Sequence, residues 1–204
     1  LVVPGGMSVH DAHEICDRIE AIPHKTYAEP FIGMGGVFFR RRFRPKSEVI
    51  NDLNGEIVNL FRILQRHYPQ FIDTLKFQIT SRREFERLRA CDPATLTDLE
   101  RAARYLYLQR CAFGGQHNGV FGVAADRPAR FDLSQVEPML ADAHDRLSGV
   151  IFENLDWSEL LSRYDRSETL FYLAPPYFGG ETDYGQGMID RADFTRMAEQ
   201  LAGI

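Results

Sequence analysis

The stretch Thr26-Tyr27-Ala28-Glu29-Pro30-Phe31-Ile32-Gly33-Met34-Gly35-Gly36 decides the reading of this chain. Residues Thr26 to Phe31 read as a short strand running straight into a glycine turn. A second strand, Glu48 to Asn51, ends at Asp52, nineteen positions after Gly33. Glycine lets the backbone approach a ligand that side chains would otherwise hold off. An acidic residue about twenty positions later supplies the acceptor that a ribose hydroxyl pair needs. A dinucleotide fold also asks for a glycine at position 38, where this chain has Phe38. That disfavours a pyrophosphate cradle and fits a nucleoside ligand without phosphates. A nicotinamide-dependent dehydrogenase shares the glycine turn and Asp52 but not this departure.

Outward from that stretch, strand character returns at Val150 to Phe152 and at Leu170 to Leu173. Val9, Ala12, Ile15 and Ile19 recur at helical spacing after Ser8, and Ile57, Leu60, Phe61 and Leu64 mark a second amphipathic helix. Ser81 with Glu84 and Thr97 with Glu100 are spaced as capping boxes. Leu99, Ala102, Ala103 and Leu106 continue the second of these, and Val136, Leu140, Ala143 and Leu147 predict a further helix. Between them, Phe113 to Gly122 is too rich in glycine for a regular element and reads as a loop or hairpin tip. The expected fold is α/β, a Rossmann-like parallel sheet carrying a mostly helical insert.

Bulk properties fit a single enzyme-like domain of 204 residues, with 44% hydrophobic and 26% charged residues. No apolar run approaches a membrane span and no signal peptide opens the chain, so a cytoplasmic location without membrane contact is expected. Cys16, Cys91 and Cys111 are an odd number without paired spacing, which argues against a disulfide framework. The net charge of −5 does not advertise a nucleic-acid binder. Charge is nevertheless uneven. Arg40, Arg41, Arg42, Arg44 and Lys46 form a basic run, and Arg82, Arg83, Arg87 and Arg89 form a second cluster diluted by Glu84 and Glu86. Such runs are either solvated faces or phosphate contacts.

In open α/β sheets ligands sit at the carboxyl ends of the strands. The expected strands deliver Glu29, Asp52 and Asp156 there, and the fourth breaks into Ala174-Pro175-Pro176-Tyr177. Two prolines cannot continue a ladder, so Tyr177 is expected in a rigid turn, where its ring offers a stacking surface for a planar base.

The order Glu29-Pro30-Phe31-x-Gly33-x-Gly35, Asn51-Asp52-x-Asn54 and Pro175-Pro176-Tyr177 resembles that of Dam-type (D12 class) DNA adenine-N6 methyltransferases. Phe113-Gly114-Gly115 and Gly119-x-Phe121-Gly122-Val123 resemble a loop in that family's target-recognition segment. The likeness covers about residues 21 to 204. It implies S-adenosylmethionine as cofactor and double-stranded DNA as substrate. Phe31, Gly33 and Gly35 would shape the cofactor pocket, Asp52 would hold the ribose hydroxyls, and Asp156 would accept from the adenine amino group. Tyr177 would stack on an adenine flipped from the duplex, within a catalytic motif made of Ala174, Pro175, Pro176 and Tyr177. Arg82 and Arg83 would track phosphates, and Gln116 and Asn118 would reach base edges. The catalytic core is expected at residues 1–57 and 146–204, with the target-recognition insert at 58–145.

Three features depart from the family. Its catalytic motif normally begins with Asp, sometimes Asn or Ser, and here the position is Ala174. An adenine amino nitrogen shares its lone pair with the ring, and an acceptor at this position favours its attacking geometry. Alanine has none, so impaired activity is expected, and a binding protein retaining the fold is the alternative. Where relatives carry Gly-Gly-Lys, Gly5-Gly6 is followed by Met7, and residues 1–20 instead resemble the cytoplasmic tail of cation diffusion facilitators. His10, His13 and Cys16 fall near one helical face there, compatible with weak zinc binding, although such a trio is ordinarily incidental and no metal site is assigned. Finally, the family continues past the catalytic motif with several strands, whereas this sequence stops at Ile204, so a sheet with an exposed edge and apolar face is expected.

Overall fold

A computed structural model of the chain describes residues 9–113, 119–122, 129–175 and 191–204. Four strands, β1 (Thr26–Glu29), β2 (Ser47–Asn51), β3 (Ile151–Glu153) and β4 (Thr169–Phe171), form one sheet in the order β3-β2-β1-β4. Every pairing is parallel, with Tyr27 opposite Glu48 and Leu170, and Val49 opposite Ile151. The expected strands are all present. β1 ends two residues earlier than its apolar pattern because Pro30 has no amide to donate.

A parallel sheet needs cover on both faces. On one face Tyr27 and Ile50 join the main core with Cys16 and Ile19 of α1 (Val9–Glu20) and Phe38 of a 3-10 turn. Ile57, Leu60, Phe61 and Leu64 of α2 (Gly55–Arg66) belong to the same core. On the other face Ala28 and Val49 meet Leu160 of α7 (Trp157–Tyr164). Between α2 and β3 lie α3 (Tyr68–Leu75), α4 (Arg82–Ala90), α5 (Asp98–Cys111) and α6 (Leu133–Arg146). Their buried residues, including Phe71, Phe85, Leu106 and Leu140, are continuous with the core on the sheet. The chain closes with α8 (Arg191–Leu201), whose Met197 is buried against Trp157 and Leu161, with Phe31, Phe171 and Leu173 packed around them. Apolar residues at this end are therefore covered by α8 rather than left bare.

The capping signals split. Thr97 and Glu100 form the reciprocal box at α5. At α4, Ser81 Oγ accepts the Glu84 amide at 3.4 Å, but the Glu84 carboxylate turns instead to Arg87, at 2.9 and 2.7 Å. A guanidinium outbids a single amide for a carboxylate.

Three arginines of the basic run, Arg40, Arg41 and Arg42, are engaged within the protein. Arg40 donates to the Gly36 carbonyl at 2.6 Å, and Arg42 pairs with Asp17 at 2.6 Å and Glu20 at 3.3 Å. Arg41 is buried against Glu48 at 2.9 Å, its guanidinium 3.5 Å from the centre of the Tyr27 ring. Arg146, at the end of α6, reaches the same carboxylate through two bonds of 2.6 Å.

Residues 9–20 form α1. Ala12, Cys16 and Ile19 are the core face of α1, and Cys16 donates to the Val37 carbonyl at 3.7 Å. Burial raises the Cys16 thiol pKa. His10 and His13 are exposed, so they do not share a face with Cys16, and no metal-ligating cluster occurs among the described residues.

Candidate active site

The strand order reverses direction between β1 and β4, the point where an open α/β sheet leaves a crevice at its carboxyl ends. Phe31 follows β1 there, and Ala174 and Pro175 follow β4, all half-buried. The Tyr172 amide still donates to the Ala28 carbonyl at 3.0 Å, so β4 remains stitched to β1 to within two residues of Ala174. Pro176 and Tyr177, like Gln116 and Asn118, lie outside the described residues.

The glycine turn is built for close approach. Gly33 and Gly35 have φ of +51° and +72°, a region side chains rarely adopt. A Cβ on Gly35 would lie 2.3 Å from the Phe39 ring, whereas one on Gly33 would meet nothing within 4 Å. The turn is thus packed on one side and open on the other.

Asp52 ties this turn to the next strand. Its Oδ2 accepts the Gly33 amide at 2.9 Å and its Oδ1 accepts the Asn54 amide at 2.9 Å. An ionised carboxylate has about four acceptor positions, so two remain for hydroxyl donors. Burial raises its pKa to about 6, against the lowering effect of those two amides. Glu29, at the end of β1, is pushed to about 8 by burial, although the Tyr27 hydroxyl donates to its Oε2 at 2.7 Å.

Asp156 sits at the carboxyl end of β3 as the N-cap of α7. Its Oδ1 accepts the Ser158 amide at 3.0 Å and the Ser158 hydroxyl. The side chain is 41% exposed and has Arg196 of α8 beside it at 3.6 Å. The carboxylate therefore does structural work and still faces solvent.

One residue of the site was quoted in the sequence motif without a role. Asn51 donates through Nδ2 to the carbonyls of Pro30 (2.9 Å) and Leu155 (3.0 Å), and its Oδ1 accepts the Leu155 amide at 2.8 Å. Asn154 adds a bond of 2.6 Å to the Asp52 carbonyl. These amides tie together the carboxyl ends of β1, β2 and β3, where Phe31, Asp52 and Asp156 emerge. The available signal was a polar residue following the buried pair Val49-Ile50 at the end of the strand.

Arg82 and Arg83 are exposed on α4, and neither makes an ion pair among the described residues. Arg87 and Arg89 are paired with Glu84 (2.7 Å) and Glu86 (2.6 Å). Arg82 lies 5.2 Å from the Phe121 ring, and Arg89 donates to the Gly119 carbonyl at 3.4 Å. These contacts join α4 to the glycine-rich segment.

The sequence model of the D12 class N6 adenine-specific DNA methyltransferases matches residues 11–202. The chain belongs to that family. Membership takes in residues 11–20, so α1 is mostly family structure and the resemblance of residues 1–20 to a cation diffusion facilitator tail does not hold over that part. The chain is 25% identical over 178 residues to the type II methyltransferase M.CviBI of Paramecium bursaria Chlorella virus NC1A, covering 85% of this chain and 67% of that protein. It is 35% identical over 98 residues to the type II methyltransferase M1.LlaDCHI of Lactococcus lactis subsp. cremoris, covering 45% and 34%. Against the DNA adenine methylase of Haemophilus influenzae it is 28% identical over 110 residues, covering 47% and 35%. The chain thus spans from about a third to about two-thirds of these relatives' lengths. The family's class of enzyme is DNA adenine methylation, which requires a methyl donor. No helix among the described residues is long and apolar enough to cross a membrane.

Proposed function

We propose that this chain carries the site of an S-adenosylmethionine-dependent methyltransferase acting on adenine N6 in double-stranded DNA, with methyl transfer held low by Ala174. One observation carries this reading: Phe31, the Gly33 turn, Asp52, Asp156 and Ala174 emerge at the same edge of one parallel sheet, around its switch point. The residues fit the cofactor. The open side of Gly33 leaves room, and the acidic rim of Asp52 and Asp156 suits hydroxyl donors, an amino group and a positively charged sulfur.

S-adenosylmethionine, when bound, supplies a methyl group on a sulfonium. Phe31, Gly33 and Gly35 shape the wall of its pocket. Asp52 accepts from the ribose hydroxyls with the lone pairs its backbone partners leave free. Asp156 accepts from the adenine amino group through the oxygen not engaged with Ser158. Tyr177, which follows Pro175 and Pro176 in the motif, is the stacking partner for the flipped target base. Arg82 and Arg83 meet phosphates, while Gln116 and Asn118 meet base edges, with residues 58–145 as the target-recognition insert between core segments 1–57 and 146–204. The boundary at 57/58 runs through α2, whose apolar stripe packs on the sheet.

At position 174 an acceptor would hold the amino hydrogens of the target adenine and strengthen as positive charge develops on that nitrogen. The methyl side chain of Ala174 offers no lone pair, so orientation falls to the neighbouring backbone alone. Ala174 equally favours a second reading, in which the chain binds cofactor and DNA without turnover. Tritium transfer from labelled cofactor to duplex DNA separates the two. Ala174→Asp is expected to raise the rate about 10²-fold or more. An unchanged rate in a variant that still binds cofactor would leave the binding reading standing and remove the catalytic one.

A further inference from the structure

Arg196 is absent from every motif of the site, yet it lies beside it. Its guanidinium carbon is 4.7 Å from the centre of the Trp157 ring, and its Nη2 is 3.6 Å from Asp156 Oδ1 and 2.7 Å from Asp193 Oδ1. Trp157 is buried, whereas the Arg196 side chain is 53% exposed. The guanidinium thus lies over a buried indole while much of its own surface stays open, next to a half-exposed carboxylate.

The helix that carries it is anchored on both sides. Met197 is buried in the cluster that includes Trp157, Phe31 and Leu173. Gln200 Nε2 donates to the Ser158 carbonyl at 2.9 Å and to the Ser162 hydroxyl at 3.1 Å, clasping α8 to α7. Asp193, one turn earlier, holds the guanidinium from its own helix. Arg196 is therefore placed by packing and hydrogen bonds.

A planar cation beside a carboxylate acceptor matches the two recognisable features of a purine amine, a flat π surface and an exocyclic amino donor. We propose that Arg196 is a cofactor-binding residue: the adenine of the adenosyl group stacks on its guanidinium while Asp156 accepts from the amino group. This rests on the cofactor reading above and adds α8 to the site. It also gives Trp157 a purpose beyond the core, as the surface that holds the platform flat.

Calorimetric titration with S-adenosylhomocysteine, which has the adenosyl group without the reactive methyl, tests it. Arg196→Ala should weaken binding about tenfold. Arg196→Lys should restore little, because an ammonium has charge but no plane, and Arg196→Phe should restore most of the loss. Binding to Arg196→Ala as tight as to the original chain, or full rescue by lysine, would overturn the stacking role. Asp52→Ala separates that result from failure of the cofactor reading. If the original chain binds, Asp52→Ala loses binding and Arg196→Ala does not, only the Arg196 assignment falls. If the original chain does not bind the probe at all, both fall together.

Discussion

Glu48 and Glu29 lie on the same face of adjacent parallel strands, both buried, and are held in opposite ways. Glu48 takes three guanidinium bonds, one from Arg41 and two from Arg146. Glu29 takes the Tyr27 hydroxyl and, among the described residues, no guanidinium bond, and its pKa rises to about 8. Asp52, nearest the glycine turn, has two backbone amides and rises to about 6. Where the charge is neutralised on the spot, the acid is framework, joining the end of α6 to β2 and to the loop after the glycine turn. Where it is not, the acids stand at the carboxyl edge and burial raises their pKa values, so that Glu29 keeps its proton at neutral pH.

The largest effect expected from this contrast is on stability. Glu48→Ala leaves two buried guanidinium groups without their partner and should cost about 3–5 kcal/mol in urea unfolding. Arg42→Ala, in the same basic run but exposed, should cost at most about 1 kcal/mol. Similar losses in the two variants would erase the distinction between framework and surface pairs.

A smaller effect separates the two glutamates by pH. Between the ordinary value of 4.5 and the folded value of about 8, the folded chain holds a proton on Glu29 that the unfolded chain has released. Stability contributed by this group therefore falls as pH rises through that window and levels off above it. Asp52 acts the same way, but only between 3.8 and about 6. From pH 6 to 8 the original chain should lose on the order of 2 kcal/mol that Glu29→Gln does not lose. Parallel pH profiles for the two proteins would mean that Glu29 is ionised throughout.

Much of this arrangement could be read from the chain. Short runs of strand-forming residues break off before Pro30, Asp52, Asp156 and Pro175, so the sheet and its carboxyl edge were visible together. The helices with strong stripes and caps were visible too. The short α3 and α7, and α8 beyond the catalytic motif, were not. Only His67 separates α2 from α3, which has a proline in its first turn, and its pattern merges with its neighbour's. Asp156 was expected from the sequence to face a ligand and was not read as the cap of α7, although a carboxylate before Trp157-Ser158 can serve both ends. The basic run at Arg40 to Lys46 stayed open between a solvated face and phosphate contacts, because the partners of Arg41 and Arg42, namely Glu48, Asp17 and Glu20, come from other elements. Local sequence lists charges and leaves their distances open. For the same reason Arg196, forty residues from Asp156, carried no signal at all.

The most direct test is a crystal structure of the chain with S-adenosylhomocysteine. The ribose hydroxyls should lie on the Asp52 carboxylate and the adenine amino group on Asp156, with Phe31 and the open side of Gly33 against the nucleoside. A ligand bound elsewhere, with Asp52 and Asp156 untouched, would contradict the assignment of this edge as the cofactor site.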